Sequence, residues 1–419
     1  MRCTHLKSHL LRKMVRFVEL MAAAVACLSA AVSGQSDYPL CGISPPTYES
    51  AASQYPNYKA AFNALKNVTV ASWYTDNDES AYKSMQKLLN KCGEDTLPVI
   101  IVYGLPNKDC SAKESNRGSN SIGGADAYAK WVQDLADLVG KRPVLYIMEP
   151  DAVGLALKEE CAKTNGYLDN MAKAIPVLTE NTNSLMYIDV GYWMLETAFN
   201  QTLVKETLKQ FTSTGRINGI ALGTSNYRTN AEMTTMCESF GALTENAYHC
   251  VIDTSRNYRG PKAGTGEWCN SRYAGVGVPS TNNTANDLID YFLWLKVPGE
   301  SDGVCAASGS DALKGGPNAG SFFQKAFSLM WDRGYFVDVK KMAKFNEYSD
   351  QVDLPSDNSG TSYLALGIII AACVVIIVLG ILIKRRYDAK QGRRRYADNN
   401  VVAAPRTNEA GTRKPYLSL

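Results

Sequence analysis

Three aspartates stand in settings that suit acid–base chemistry: Asp109, Asp151 and Asp302. Asp151 is the most informative. Residues 143–154 read PVLYIMEPDAVG, an apolar run (144–148) leading straight into Glu149, Pro150 and Asp151. A continuous apolar run of this length suits a strand buried on both faces of a parallel sheet. Pro150 cannot donate to a ladder, so the strand stops there. Asp151 then sits at the strand's C-terminal end, which carries the chemistry in α/β barrels. It is read here as a catalytic acid. A lone Asp after a strand is more often a loop or capping carboxylate, so its neighbours decide.

Those neighbours must be delivered by other elements. Six further apolar runs occur, at 68–74, 99–103, 185–190, 217–222, 250–253 and 292–297. Helical patterns lie between several of them. The clearest is 125–139, where Tyr128, Trp131, Val132, Leu135, Leu138 and Val139 fall on one face. The alternation predicts α/β architecture, a distorted seven-stranded parallel β/α barrel rather than an open sheet. No GxGxxG follows the first run, which argues against dinucleotide binding. Polar and aromatic residues follow each run: Trp73 and Tyr74; Asn107, Lys108 and Asp109; Glu149 and Asp151; Asp189, Tyr192 and Trp193; Asn226; Asp253 and Arg256; Lys296, Glu300 and Asp302. Aromatic faces stack on sugar rings, and carboxylates and amides bind hydroxyls, so this ring suits a carbohydrate. Glycosidic cleavage needs an acid to protonate the leaving oxygen and a base to activate water.

The net charge of +3 is unevenly spread. Residues 1–34 carry +4 and residues 384–419 carry +7, leaving −8 between them. An acidic middle argues against nucleic-acid binding by the main domain. Residues 1–34 have a basic start, an apolar stretch at 20–32 and small residues before 35, the pattern of a signal peptide. Residues 349–362 read as a polar linker. Residues 363–383 read as a transmembrane helix, with twenty uncharged positions at 364–383. The KRR at 384–386 opens a basic tail, 384–419, on the cytoplasmic side. The expected topology is single-pass type I at a plasma membrane, with the 35–348 domain outside. Eight cysteines fall in that domain, an even number that predicts four disulfides in an exported protein. Asn67, Asn200 and Asn282 open N-glycan acceptor patterns. Only three histidines occur and two precede residue 35, so no metal site is expected, nor any cofactor.

YGLPNKDC (103–110) and LYIMEPD (145–151) together resemble the two signatures of glycoside hydrolase family 6, the cellulases and cellobiohydrolases acting on β-1,4-glucan. EWCN (267–270), LWLK (293–296) and PGESDG (298–303) supply a third match in the right order. The resemblance implies roles by position. Asp151 matches the proton donor, Asp109 the aspartate that tunes it, and Asp302 the proposed general base. Tyr103 matches a tyrosine beside the cleavage point, and Ser115 a loop serine that holds the water. Trp73, Trp193 and Trp268 match stacking tryptophans; Asn226, Lys296 and Glu300 match sugar-binding positions, and Asp189 is added to that set. Cys110–Cys161 and Cys269–Cys305 match the family disulfides, with Cys41–Cys92 and Cys237–Cys250 as the remaining pairs. The family inverts configuration, so Asp151 and Asp302 are expected about 6.5–9.5 Å apart or more, with Asp109 closer to Asp151. A like charge beside Asp151 would keep it protonated near neutrality.

Departures from the family pattern are also present. Lys108 stands where Arg is usual, and Gly104 and Asn107 stand where acids are usual. Lys keeps the charge but not the planar fork. The loop from 302 to 322 is short beside those of the tunnel-forming members of the family it resembles, which implies an open cleft and endo-acting cleavage. The expected function is thus a membrane-anchored extracellular inverting β-1,4-glucanase whose partners are β-glucan and the membrane. The alternative is a catalytically weak glucan-binding surface protein on the same fold.

Overall fold

Strand formation follows the apolar runs. In the computed structural model, which describes residues 35–348 apart from positions 78, 263, 264, 266, 307, 308 and 310, seven parallel strands form one curled sheet. They are β2 (Ser72–Thr75), β3 (Leu97–Tyr103), β4 (Val144–Met148), β5 (Ser184–Asp189), β6 (Gly219–Leu222), β7 (His249–Asp253) and β8 (Ile289–Leu293). A short β1 (Leu40–Cys41) pairs with the foot of β3 and was not legible as a strand. The expected signal segment, linker, transmembrane segment and tail lie outside the described residues. Among the described residues no helix is long and apolar enough to cross a membrane.

Both sheet faces are covered, as the continuous apolar runs require. Val99 and Ile101 of β3, with Leu145 and Ile147 of β4, face the barrel interior beside Tyr187, Val251 and Tyr291. The alternate residues Ile100, Val102, Tyr146 and Met148 face the outer helices. Parallel register puts Val99 beside Leu145 and Ile101 beside Ile147, so the inner residues stack in layers. The helix expected at 125–139 forms as Asn120–Val139, its first turn set off by Gly124 at φ +64°. Tyr128, Val132, Leu135 and Val139 are its buried face.

The sheet almost closes. A single parallel bridge, Val70 with Trp294, joins the two edges, and Trp73 Nε1 donates to Leu295 O at 2.8 Å. An aromatic cluster seals this seam: Tyr48, Tyr58 and Phe62 from the N-terminal helices pack on Phe327 and Trp331 of helix Gln324–Asp332. The last strand corrects the sequence reading. It runs Ile289–Leu293, earlier than 292–297, because Asp290 is buried within it. That carboxylate accepts from Tyr187 Oη at 2.6 Å and faces His249 Nδ1 at 2.8 Å. Cys41–Cys92, Cys110–Cys161, Cys237–Cys250 and Cys269–Cys305 are all formed.

Candidate active site

The strands' C-terminal ends open on a cavity of about 790 Å³. Three buried acids at or just past those ends hold the loops around it. Glu149, after β4, accepts from Gly104 N at 3.0 Å, Leu105 N at 3.4 Å and Tyr128 Oη at 2.9 Å. Asp189, ending β5, accepts from Asp151 N at 2.9 Å and Gly191 N at 3.0 Å. Asp253, ending β7, accepts from Ser225 N at 2.8 Å, Ser255 N at 2.9 Å and Leu295 N at 3.2 Å. Each acid thus binds backbone of the loop after an adjacent strand. These bonds satisfy loop amides that would otherwise be buried unpaired.

Asp151 owes its position to this arrangement. It sits at φ +67°, with Glu149 at φ +45° on the other side of Pro150. Left-handed non-glycine residues each cost about 1–3 kcal/mol and persist only where the surroundings enforce them. Asp109 and Asn107 are left-handed too. Burial, then the Asp189 charge, then the Asp109 charge hold the Asp151 carboxyl well above the usual range. Burial also raises Asp109, opposed by backbone donors that include Ser115 N at 2.6 Å. Asp189 is itself pushed up to about 6 by burial.

Asp302 is held differently. Its Oδ1 accepts from Arg256 Nη1 at 2.8 Å, and its Oδ2 accepts from Asn270 N at 2.8 Å and from Tyr227 Oη. Arg256 is fully buried and lies over the Tyr227 ring at 4.4 Å. Asp302 is thereby fixed as an ion-paired carboxylate on the cavity wall.

Eleven of the twelve expected catalytic and sugar-binding residues line this one cavity: Trp73, Tyr103, Asp109, Ser115, Asp151, Trp193, Asn226, Trp268, Lys296, Glu300 and Asp302. Tyr103 meets the Trp73 ring edge-on at 5.5 Å, and Lys296 Nζ lies 5.6 Å from that ring. Trp268 is 39% exposed, an open apolar face on the wall. Trp193 packs on Gly154 and Gly191, where any Cβ would stand within 3 Å of the indole. Glu300 accepts from Thr47 Oγ1 at 2.8 Å, so the N-terminal segment also reaches the site.

Asp189 is the exception. Expected to contact sugar, it is buried below the cavity and spent on the Asp151 and Gly191 amides. Its role is to position Asp151.

Two of the three departures resolve as packing. Lys108 is buried and is not itself among the residues lining the cavity; its Nζ lies 5.5 Å from the Tyr103 ring, pairs with Asp76 and donates to Asn77 Oδ1 at 3.2 Å and to Arg117 O. It anchors the far end of the loop that carries Ser115. At Gly104 a Cβ would stand 2.5 Å from the Trp131 ring. Asn107 lies at the surface and donates to Asn165 Oδ1 at 3.0 Å. Sequence reasoning missed Tyr227, Asp76 and the role of Asn270; only Asn270 had a signal, from its place in the third motif.

This geometry matches known proteins. The family described as Glycosyl hydrolases family 6 matches residues 44–333. Endoglucanase A of Thermobispora bispora is 32% identical over 221 residues, 51% of this chain and 45% of that protein. A probable 1,4-beta-D-glucan cellobiohydrolase C of Aspergillus terreus is 30% identical over 329 residues, 67% of each chain. The chain thus spans about half the length of the first relative. The solved endoglucanase Cel6 from Mycobacterium tuberculosis, with a thio-linked cellobioside bound, is 28% identical with a TM-score of 0.59, covering 71% of this chain and 98% of that one. With a match over most of the described residues, and the same curled parallel sheet, the chain belongs to glycosyl hydrolases family 6.

Proposed function

We propose that this chain hydrolyses β-1,4-glucan with inversion, cutting within the polymer. The observation that carries the reading is the pair of unlike carboxyls on one cavity. Burial and neighbouring acids favour the protonated form of Asp151, while Asp302 is ion-paired with Arg256. An acid favoured in its protonated form facing a carboxylate paired with a cation suits the two roles that glycosidic cleavage needs. Asp151 gives its proton to the leaving glycosidic oxygen as the bond to the anomeric carbon breaks. A water on the opposite face, held near Ser115, forms the new bond and yields its proton toward Asp302. Asp109 supports Asp151 electrostatically and fixes the Ser115 amide. Trp73, Trp193 and Trp268 offer stacking faces; Asn226, Lys296 and Glu300 offer polar contacts. Two of the relatives above are named endoglucanases, and the short 302–322 loop favours internal cutting.

The reading of a catalytically weak binder rested on Lys108 and Gly104, and the packing of both removes that support. The test is release of reducing ends from carboxymethyl-cellulose. Wild type should produce them and Asp151→Asn should fall by about 10²–10⁴-fold, the range for loss of a general acid. Equal activity of the two would overturn the assignment.

We further propose that the domain lies outside a plasma membrane, anchored through 364–383 after removal of 1–34. Twenty uncharged residues before a basic cluster support this, as do four disulfides and exposed Asn67 and Asn282. Protease added to intact cells should remove the domain and leave a tail epitope intact; loss of the tail epitope first would refute the orientation.

A further inference from the structure

One wall of the cavity, at residues 296–300, is gripped from the far end of the chain. Helix Pro46–Gln54 begins without a side-chain cap, because Pro45 and Pro46 preset the backbone there. Thr47, in its first turn, is not used to cap it. Its hydroxyl donates instead to Glu300 Oε1 at 2.8 Å, across 253 positions of sequence. The next residue, Tyr48, is buried and donates from Oη to Pro298 O at 2.9 Å. Glu300 N closes the turn on Val297 O at 3.1 Å. Gly299 within that turn sits at φ +94°, where a Cβ would stand 2.8 Å from the Phe327 ring. The backbone under Glu300 is thus fixed, and Thr47 fixes the direction of its carboxylate. The other oxygen, Oε2, lies 3.9 Å from Lys296 Nζ, too far for a hydrogen bond, and that ammonium lies 5.6 Å from the Trp73 ring centre. Glu300, Lys296 and Trp73 line the cavity; Thr47 stands behind them.

We infer that Thr47 is a positioning residue, whose hydroxyl turns Glu300 so that Glu300 and Lys296 together hold the hydroxyls of the sugar ring stacked on Trp73. This rests on the glucanase reading above. Thr47 touches no sugar itself and acts through Glu300. With Oε1 engaged by Thr47, Oε2 stays near the Lys296 charge without closing on it, and the ammonium keeps its donors for the substrate. Without the Thr47 hydroxyl, the Glu300 side chain regains rotamers and closes on Lys296, which withdraws both groups from the sugar. One hydrogen bond of this kind shifts binding roughly two- to tenfold. The same contact favours ionised Glu300. Burial pushes the Glu300 carboxyl up; the Lys296 charge, the Thr47 hydroxyl and the Arg256 charge pull it back, and the Asp302 charge opposes them. Tyr48, on the same helix, is held neutral by burial and by the Glu300 charge.

The full-length protein is compared with Thr47→Val, which keeps the shape and lacks the hydroxyl, and Thr47→Ser, which keeps the hydroxyl. The Kd for cellotetraose is measured by calorimetry, with Asp151→Asn added to each protein to prevent turnover. It should rise roughly two- to tenfold with Val and stay within about twofold with Ser. In the proteins that retain Asp151, KM should rise with Kd while kcat changes less than about twofold, the pattern of lost uniform binding. The acidic limb of the binding profile should move to higher pH with Val, because ionised Glu300 has lost a donor. In a Glu300→Ala background, Thr47→Val should add nothing. Equal Kd in all three proteins overturns the role of Thr47. So does equal weakening by Val and Ser, an undiminished Val effect in the Glu300→Ala background, or a fall in kcat with KM unchanged. If wild type binds cellotetraose but hydrolyses no glucan, the glucanase reading fails and the Kd comparison still judges Thr47. If it binds no glucan, both fall.

Discussion

Lys108→Ala is the perturbation that most sharply separates a structural lysine from a substrate-binding one. The side chains of Lys108 and Asp76 are 3% and 0% exposed. Among the described residues, removing the ammonium leaves the Asp76 carboxylate with the Asn120 amide at 2.8 Å as its remaining hydrogen-bond donor and takes a donor from Asn77 Oδ1 and Arg117 O. Asp76 has little room to turn toward water, since Gly118 lies so close that a Cβ there would stand 2.1 Å from Asp76 Oδ2. Breaking a buried pair from one side costs about 3–5 kcal/mol. Against a typical total of about 5–15 kcal/mol, that is a large fraction. Urea titration followed by tryptophan fluorescence should show a lower midpoint with an unchanged slope. Lys108→Met, which keeps the volume, should lose nearly as much, and adding Asp76→Asn should recover a good part of it. A loss below about 1 kcal/mol, the range of exposed ion pairs, would refute the anchoring role.

Other perturbations read other parts of the account. Asp189→Asn removes a negative neighbour of Asp151 while keeping an oxygen for its amide, so Asp151 loses its proton more readily; the basic limb of the kcat/KM profile should move to lower pH. Gly104→Ala should cost about 1–3 kcal/mol in the same titration by driving a methyl into Trp131. His249 donates a hydrogen bond to the Asp290 carboxylate, which raises its pKa despite burial, so it stabilises the fold fully below about pH 6.5 and loses that contribution as pH rises through the folded value. His249→Asn should therefore lose more stability against wild type at pH 5.5 than at pH 9, as read by thermal unfolding.

The sequence showed best what depends on local pattern. β3 and β4 are buried along nearly their whole length, so their apolar runs were visible without knowing their neighbours. β8 was misplaced because Asp290 breaks its run, and only the fold reveals His249 and Tyr187 waiting for that carboxylate. Asp151 was legible as an acid after a strand. That Asp189 points down at the Asp151 amide rather than up at a sugar depends on strand pairing, which periodicity does not encode. Two of the partners of Asp302 lie 46 and 75 positions away at Arg256 and Tyr227, and no motif joins those two to it. Lys108 carried its family position in plain sight, but its burial against Asp76 is a tertiary fact.

The central claim, that Asp151 and Asp302 act on opposite faces of one glycosidic bond, is tested most directly by the anomer first formed. Proton NMR during wild-type hydrolysis of a cello-oligosaccharide should show the α-anomer appearing ahead of mutarotation, and Asp151→Ala should bind the oligosaccharide without producing it. First appearance of the β-anomer, or equal binding without hydrolysis by both proteins, would contradict the account.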